Sequence, residues 1–200
     1  MGTRKLLAMF ILAIIVGLSS GVASAQNQVV NGDFNTDVSN WVNNTPTISW
    51  SPLDAFGNPG SGSGLVTLPV VPFGGTFGCD QIIATVSVGS TYDYGGRIRV
   101  PSGQTAGITV TIAAIFYGAS CSGIISSANT TGVLTSGGST DTWVFQTSSV
   151  VAPVGATCAG VFLELLVPGA TGNPVVANFD TLRFGLQPTT PVELKSVNVD

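Results

Sequence analysis

The chain is a series of short apolar or alternating runs separated by clusters of Gly, Pro, Asn and Ser. No segment after residue 25 sustains a helical period. The clearest runs are 65–69, 81–88, 92–100, 108–117, 143–151, 161–167 and 175–184. β-Branched and aromatic residues suit a pleated, half-buried surface, and Gly and Asn supply the turns between strands. Evenly spaced antiparallel strands of this kind close into a sandwich or a barrel. The expected class is therefore all-β.

Period-two alternation divides the faces of three runs. In 81–88, Ile82, Ala84, Val86 and Val88 form the apolar set, opposed by Gln81, Ile83, Thr85 and Ser87. In 108–117 the apolar set is Ile108, Val110, Ile112, Ala114 and Phe116. Thr109, Thr111, Ala113, Ile115 and Tyr117 oppose it. In 161–167 the core set is Val161, Leu163, Leu165 and Val167, opposed by Phe162, Glu164 and Leu166. The mixed faces read either as ordinary solvated sheet or as a platform. On a platform, aromatic rings stack on a ligand and hydroxyl, amide and carboxylate groups bond to it. The platform candidates are Gln81, Thr85, Thr111, Tyr117, Phe162 and Glu164.

Composition narrows the function. Residues 1–25 read as an export signal. Arg4 and Lys5 precede an apolar run from Leu6 to Leu18, and Ala23-Ser24-Ala25 is a small-residue cleavage site, so Gln26 is the expected mature N-terminus. The expected location is secreted or on the extracellular surface. Beyond residue 25, ten acidic residues face four basic ones (Arg97, Arg99, Arg183 and Lys195), a balance of −6. That balance disfavours nucleic acid and anionic membranes, and no later apolar run is long enough to span a bilayer as a helix. The chain has no His, which excludes a Ser-His-Asp centre and a His-ligated zinc site. Its two Glu residues are Glu164 and Glu193. A glycosidase needs two carboxyl groups across a cleft, and nothing in the spacing selects a pair, so no enzyme activity is expected. Nothing in the sequence specifies an oligomeric state.

The opening Val30-Asn31-Gly32-Asp33-Phe34, followed by Trp41, resembles that of carbohydrate-binding modules of the family 4/9 type. The resemblance continues through the Gly-rich loop 54–64, Gln81-Ile82 with Val88-Gly89-Ser90-Thr91-Tyr92, Trp143 with 151–156, and Asn178-Phe179-Asp180-Thr181-Leu182. It implies a galactose-binding-like β-jelly-roll of two antiparallel sheets over residues 26–186. It also implies a polysaccharide or glycan held non-catalytically on the concave sheet. The alternative is a structural or adhesive surface protein that keeps the fold without a sugar site. Trp41 and Trp143 stand at positions that are core in that family, and Trp50 reads as structural. A structural calcium is implied near the first and last strands, with Asn35, Asp54 and Asp180 as ligands. The other reading of Asp180 is a hydrogen-bonded cap on a bulge.

In a jelly roll, the strand ending near Tyr117 runs antiparallel beside the one starting at Val161. That brings Cys121 and Cys158 to one end of the sheet, within reach of a bridge, and leaves Cys79 free. Pairing of Cys79 with Cys121 is the alternative. Residues 187–200 read as a Pro/Thr linker and a tail resembling those of bacterial surface proteins.

Overall fold

The computed structural model describes residues 26–83, 85–135 and 140–187. The expected signal (1–25) and most of the tail (188–200) lie outside the described residues. Among the described residues ten strands form two antiparallel sheets. The first has the order β1 (Thr47–Ser51), β2 (Ser63–Leu68), β10 (Val175–Leu186), β4 (Thr91–Arg99), β8 (Trp143–Val151). The second has the order β3 (Gly75–Ile83), β9 (Cys158–Val167), β5 (Thr109–Tyr117), β6 (Ile124–Asn129), and the short β7 (Val133–Leu134) also pairs with β5. This is the all-β jelly-roll sandwich expected from the sequence.

The alternation of β5 and β9 places their faces as expected. Val110, Ile112, Ala114 and Phe116 are fully buried, as are Val161, Leu163 and Leu165. They meet Tyr92, Tyr94, Ile98, Phe179 and Phe184 in one core between the sheets. Each large side chain taken from water there contributes roughly 1.5–3 kcal/mol.

The expectation for 81–88 is inverted. Strand β3 starts six residues earlier, at Gly75, and ends at Ile83. Its pairing with β9 sets Cys79 opposite Leu163 and Gln81 opposite Val161, so Cys79, Gln81 and Ile83 face inward. Ile82 is left 48% exposed. Gln81 tolerates burial because the N-terminal segment satisfies its amide. Its Oε1 accepts from Val30 N at 2.7 Å, and its Nε2 donates to Val30 O at 2.8 Å and to Asn40 O. Asn27 does the same against β10, accepting from Phe184 N and donating to Leu182 O. Residues 27–42 therefore stitch the two sheets together. Ala84 lies outside the described residues, and 85–90 form a connection rather than a strand.

Trp41 is buried as expected, while Trp50 donates Nε1–H to Phe34 O at 2.8 Å. Trp143 departs from the expected core position. It opens the edge strand β8, only half-buried, because no further strand covers it there. Cys121 and Cys158 form the disulfide, Cα atoms 5.3 Å apart, where Tyr117 pairs with Cys158 at the end of the β5–β9 ladder. Cys79 is free, as expected, and buried mid-strand opposite Leu163, with its thiol pushed up to about 11 by burial.

Candidate functional site

The outer face of the second sheet carries the polar and aromatic residues left over by the core. Across the sheet, one register row reads Asp80, Phe162, Ala113, Asn129. The next rows on either side read Gly78, Glu164, Thr111 and Ile82, Gly160, Ile115, Ser127. A groove of about 510 Å³ runs over this face, lined by Asn44, Thr76, Asp80, Ile115, Tyr117, Ile124, Ser127, Phe162 and Glu164.

Two glycines decide how the aromatic rings lie. A Cβ at Gly78 would come within 2.6 Å of Phe162 Cε1, and one at Gly160 within 3.2 Å of Tyr117 Cε2. Each ring therefore reaches over a glycine on the neighbouring strand. Both side chains are half-buried, so part of each ring remains open to the groove. Burial, and then the negative charge of Asp80, raises the Tyr117 hydroxyl above its ordinary value, which keeps it a neutral donor.

The polar groups are held by one another. Asn44 Nδ2 donates to Asp80 Oδ1 at 2.7 Å. Thr111 Oγ1 donates to Glu164 Oε2 at 2.7 Å, and Asn129 Nδ2 donates to the same oxygen. Glu164 is 7% exposed, and both of these donors meet its Oε2. The groove thus offers ring faces, a phenol, and carboxylate and amide groups fixed in place before any ligand arrives.

The structure brings Tyr117, Phe162 and Glu164 to the groove and places Thr111 beneath it, acting through Glu164. Gln81 lies on the opposite face, its amide spent on the N-terminal segment. Thr85 is exposed beyond the end of β3 and does not line the groove. Sequence reading missed Asp80, Thr76, Asn44 and Asn129. Placing β3 at 75–83 would have set Thr76 and Asp80 outward in step with Ile82. Asn44 comes from a loop and carries no such signal.

On the central strand of the first sheet, Asp180 is 1% exposed. Its Oδ2 accepts from Ala55 N at 2.9 Å and its Oδ1 from Thr181 N at 2.7 Å. Thr181 has φ of 51°, and the β10–β4 register shifts between Asp180 and Arg183, so Asp180 caps a bulge. Asp54 Oδ1 caps its own loop through Phe56 N and Asn58 N, and Asn35 Oδ1 accepts from Ser61. Burial raises Asp180 to about 6 despite these amides, and Asp54 and Asp33 nearby add to the rise. Among the described residues no three acidic or Cys side chains gather as a metal cage. Asp54 and Asp180 thus cap backbone amides, and Asn35 accepts from the Ser61 hydroxyl.

No protein-family model and no curated protein sequence matches this one. Solved structures do. The CBM22-1 xylan-binding domain of Paenibacillus barcinonensis Xyn10C superposes with a TM-score of 0.59 at 9% identity, over 84% of this chain and 98% of that one. The C-terminal family 22 carbohydrate-binding module of Clostridium thermocellum Xyn10B gives 0.53 at 14% identity, over 86% and 98%. The enzymatically active domain of tailspike protein 4 of bacteriophage CBA120 gives 0.57 at 18% identity, over 80% of this chain but only 21% of that one. The chain therefore has the β-sandwich fold seen in carbohydrate-binding modules.

Proposed function

We propose that the groove on the outer face of the second sheet binds a polysaccharide or glycan chain without cleaving it. The observation that carries this reading is the seating of Tyr117 and Phe162 over Gly160 and Gly78. A ring laid over a glycine presents apolar surface to the groove, which suits the C–H face of a sugar ring. Asp80, Asn44 and Glu164 stand beside these rings to bond sugar hydroxyls. An adhesive or structural surface would instead show flat Thr and Ser with no aromatic groove. The xylan-binding domain among the structural neighbours supports the same reading. The Cys121–Cys158 disulfide fits an oxidising compartment, in keeping with export directed by residues 1–25.

The test is a screen of neutral polysaccharides by affinity electrophoresis, with release of reducing sugar measured in parallel. We expect at least one ligand and no hydrolysis. Tyr117→Ala and Phe162→Ala should each weaken binding by about 1 kcal/mol or more while the domain stays folded. Absence of any ligand, or normal binding by both variants, overturns the reading. Hydrolysis lost in Glu164→Gln would replace it with an enzyme.

A further inference from the structure

We propose that the outer face of the first sheet is a second binding surface, for a carboxylate-bearing sugar polymer. The proposal does not depend on the groove, which lies on the other sheet.

Four side chains form an alternating stack there. Arg97 Cζ lies 4.6 Å from the centroid of Phe56 and 5.6 Å from that of Phe145, and Arg183 Cζ lies 5.0 Å from Phe145. The sequence places them on three strands and one loop. Arg97 pairs with Phe145 across β4 and β8, Arg183 stands on β10 beyond the bulge, and Phe56 comes from the loop that Asp180 holds at Ala55 N. The two rings are 63% and 46% exposed, large apolar surfaces for a sheet face open to water.

Stacking uses the face of a guanidinium and leaves its in-plane N–H groups available. Arg183 donates one to Thr147 Oγ1 at 2.8 Å. Among the described residues neither Arg97 nor Arg183 has a carboxylate at ion-pair distance. The nearby acids are engaged elsewhere: Asp180, the cross-strand partner of Arg97, with the amides of Ala55 and Thr181, Asp141 with Arg99 at 2.8 Å, Asp93 with Ser149, and Asp54 with its own loop. A planar carboxylate is the natural occupant of a free guanidinium edge.

Among the described residues the cations are confined to one face. The described cations, Arg97, Arg99 and Arg183, all belong to this sheet, in a chain whose balance beyond residue 25 is −6. The groove on the other sheet holds Asp80 and Glu164. An anionic group finds a guanidinium edge on the first sheet, while the groove on the second holds carboxylates without a cation. Two unpaired arginines are too few for a nucleic-acid backbone. The exposed rings select a ligand that carries an apolar ring face beside each carboxylate, as a uronic acid does.

The test is affinity electrophoresis of the purified full chain in polygalacturonate, alginate and hyaluronate, with polyglutamate as a polyanion lacking rings. At least one acidic polysaccharide should retard the protein, less so as salt is raised. Arg97→Gln with Arg183→Gln should weaken this about tenfold or more. Phe145→Ala should weaken it several-fold, and Tyr117→Ala with Phe162→Ala should leave it unchanged. Arg183→Gln alone removes an exposed side chain with one side-chain hydrogen bond and should lose part of the effect with the melting temperature intact. Indifference of the wild-type chain to all three polymers overturns the proposal. So does equal binding by the arginine variants, loss on changing the groove, or an equally tight and arginine-dependent response to polyglutamate. Binding of neutral polysaccharides, read separately, tests the groove.

Discussion

The two outer faces of the sandwich use aromatic rings in opposite ways. On the second sheet, Tyr117 and Phe162 reach over glycines, so one side of each ring rests on backbone and the rest faces the groove. On the first sheet, Phe56 and Phe145 lie against Arg97 and Arg183, so cations share the ring faces. The same side-chain type thus makes a neutral apolar floor on one face and a charged, aromatic-lined one on the other. What differs is the neighbour on the adjacent strand, glycine or arginine. A ring's presence on a sheet face therefore says little about its ligand until its cross-strand partner is known.

The strongest way to separate the faces is through the disulfide, which pins the Tyr117 end of the groove, where Tyr117 pairs with Cys158 on the second sheet. Replacing Cys121 and Cys158 by Ser should cost about 4 kcal/mol in a denaturant titration, from loop closure over the sequence separation of 37. Groove binding should suffer more than binding to the arginine face. A loss below about 1 kcal/mol would mean that the ladder alone holds that end.

Asp180 acts on the opposite face, because it anchors the loop carrying Phe56. Its carboxyl is raised by burial to about 6 in the folded chain, against 3.8 unfolded. The folded state therefore holds its proton more tightly, and the cost of ionising it is full above pH 6 and absent below about pH 4. Stability from this group rises as pH falls through that window, by up to about 3 kcal/mol. Asp37, held down by the Ser39 amide, and Asp141, held down by Ser102, act oppositely and only below their ordinary range. Thermal melts from pH 7 to 4.5 should show the rise, and Asp180→Asn should flatten it. The calcium that the sequence resemblance implies is tested in the same melts. A bound cation would favour the ionised carboxyl, raise the melting temperature at neutral pH and remove the acid-side gain. Identical melts in calcium and in chelator would set the metal aside.

A subtler contrast lies within the groove floor. A Cβ at Gly78 would sit 2.4 Å from Leu163 O as well as against Phe162, whereas the nearest atom at Gly160 is 3.2 Å away. Gly78→Ala should therefore cost about 1–3 kcal/mol, and Gly160→Ala clearly less. Equal losses would mean that the Phe162 ring is not seated as described. Smallest of all, Arg183→Gln should change stability by under about 0.5 kcal/mol, since its side chain is exposed. A larger loss would make the arginine stack a structural brace.

Strands β5 and β9 were legible because each carries an uninterrupted period-two pattern between paired neighbours, and that pattern alone delivered Tyr117, Phe162 and Glu164 to one face. The ordered pairing of the same strands delivered the disulfide. Strand β3 was misread because its inward set includes Gln81, which looks like a surface residue until the distant backbone of Val30 and Asn40 is seen to satisfy it. That one inversion hid Asp80. Strand β6, Ile-Ile-Ser-Ser-Ala-Asn, has no apolar set because it lies at a sheet edge, so only pairing with β5 reveals it. The arginine stack left no local mark, since its members are drawn from four separate segments.

The last strand sits in the middle of the first sheet. β10 lies between β2 and β4, with Val66 opposite Ala177 and Ile98 opposite Phe179. Until it arrives, β1–β2 and β4–β8 are two unconnected ribbons, each with an open edge. The sheet cannot close in the order in which its strands are synthesised, because its keystone follows the four strands it joins. Contacts this distant in sequence make folding slow and all-or-none, and an incomplete chain has no stable half to rest in. A polypeptide of this topology stays threadable until residues 175–186 have been released.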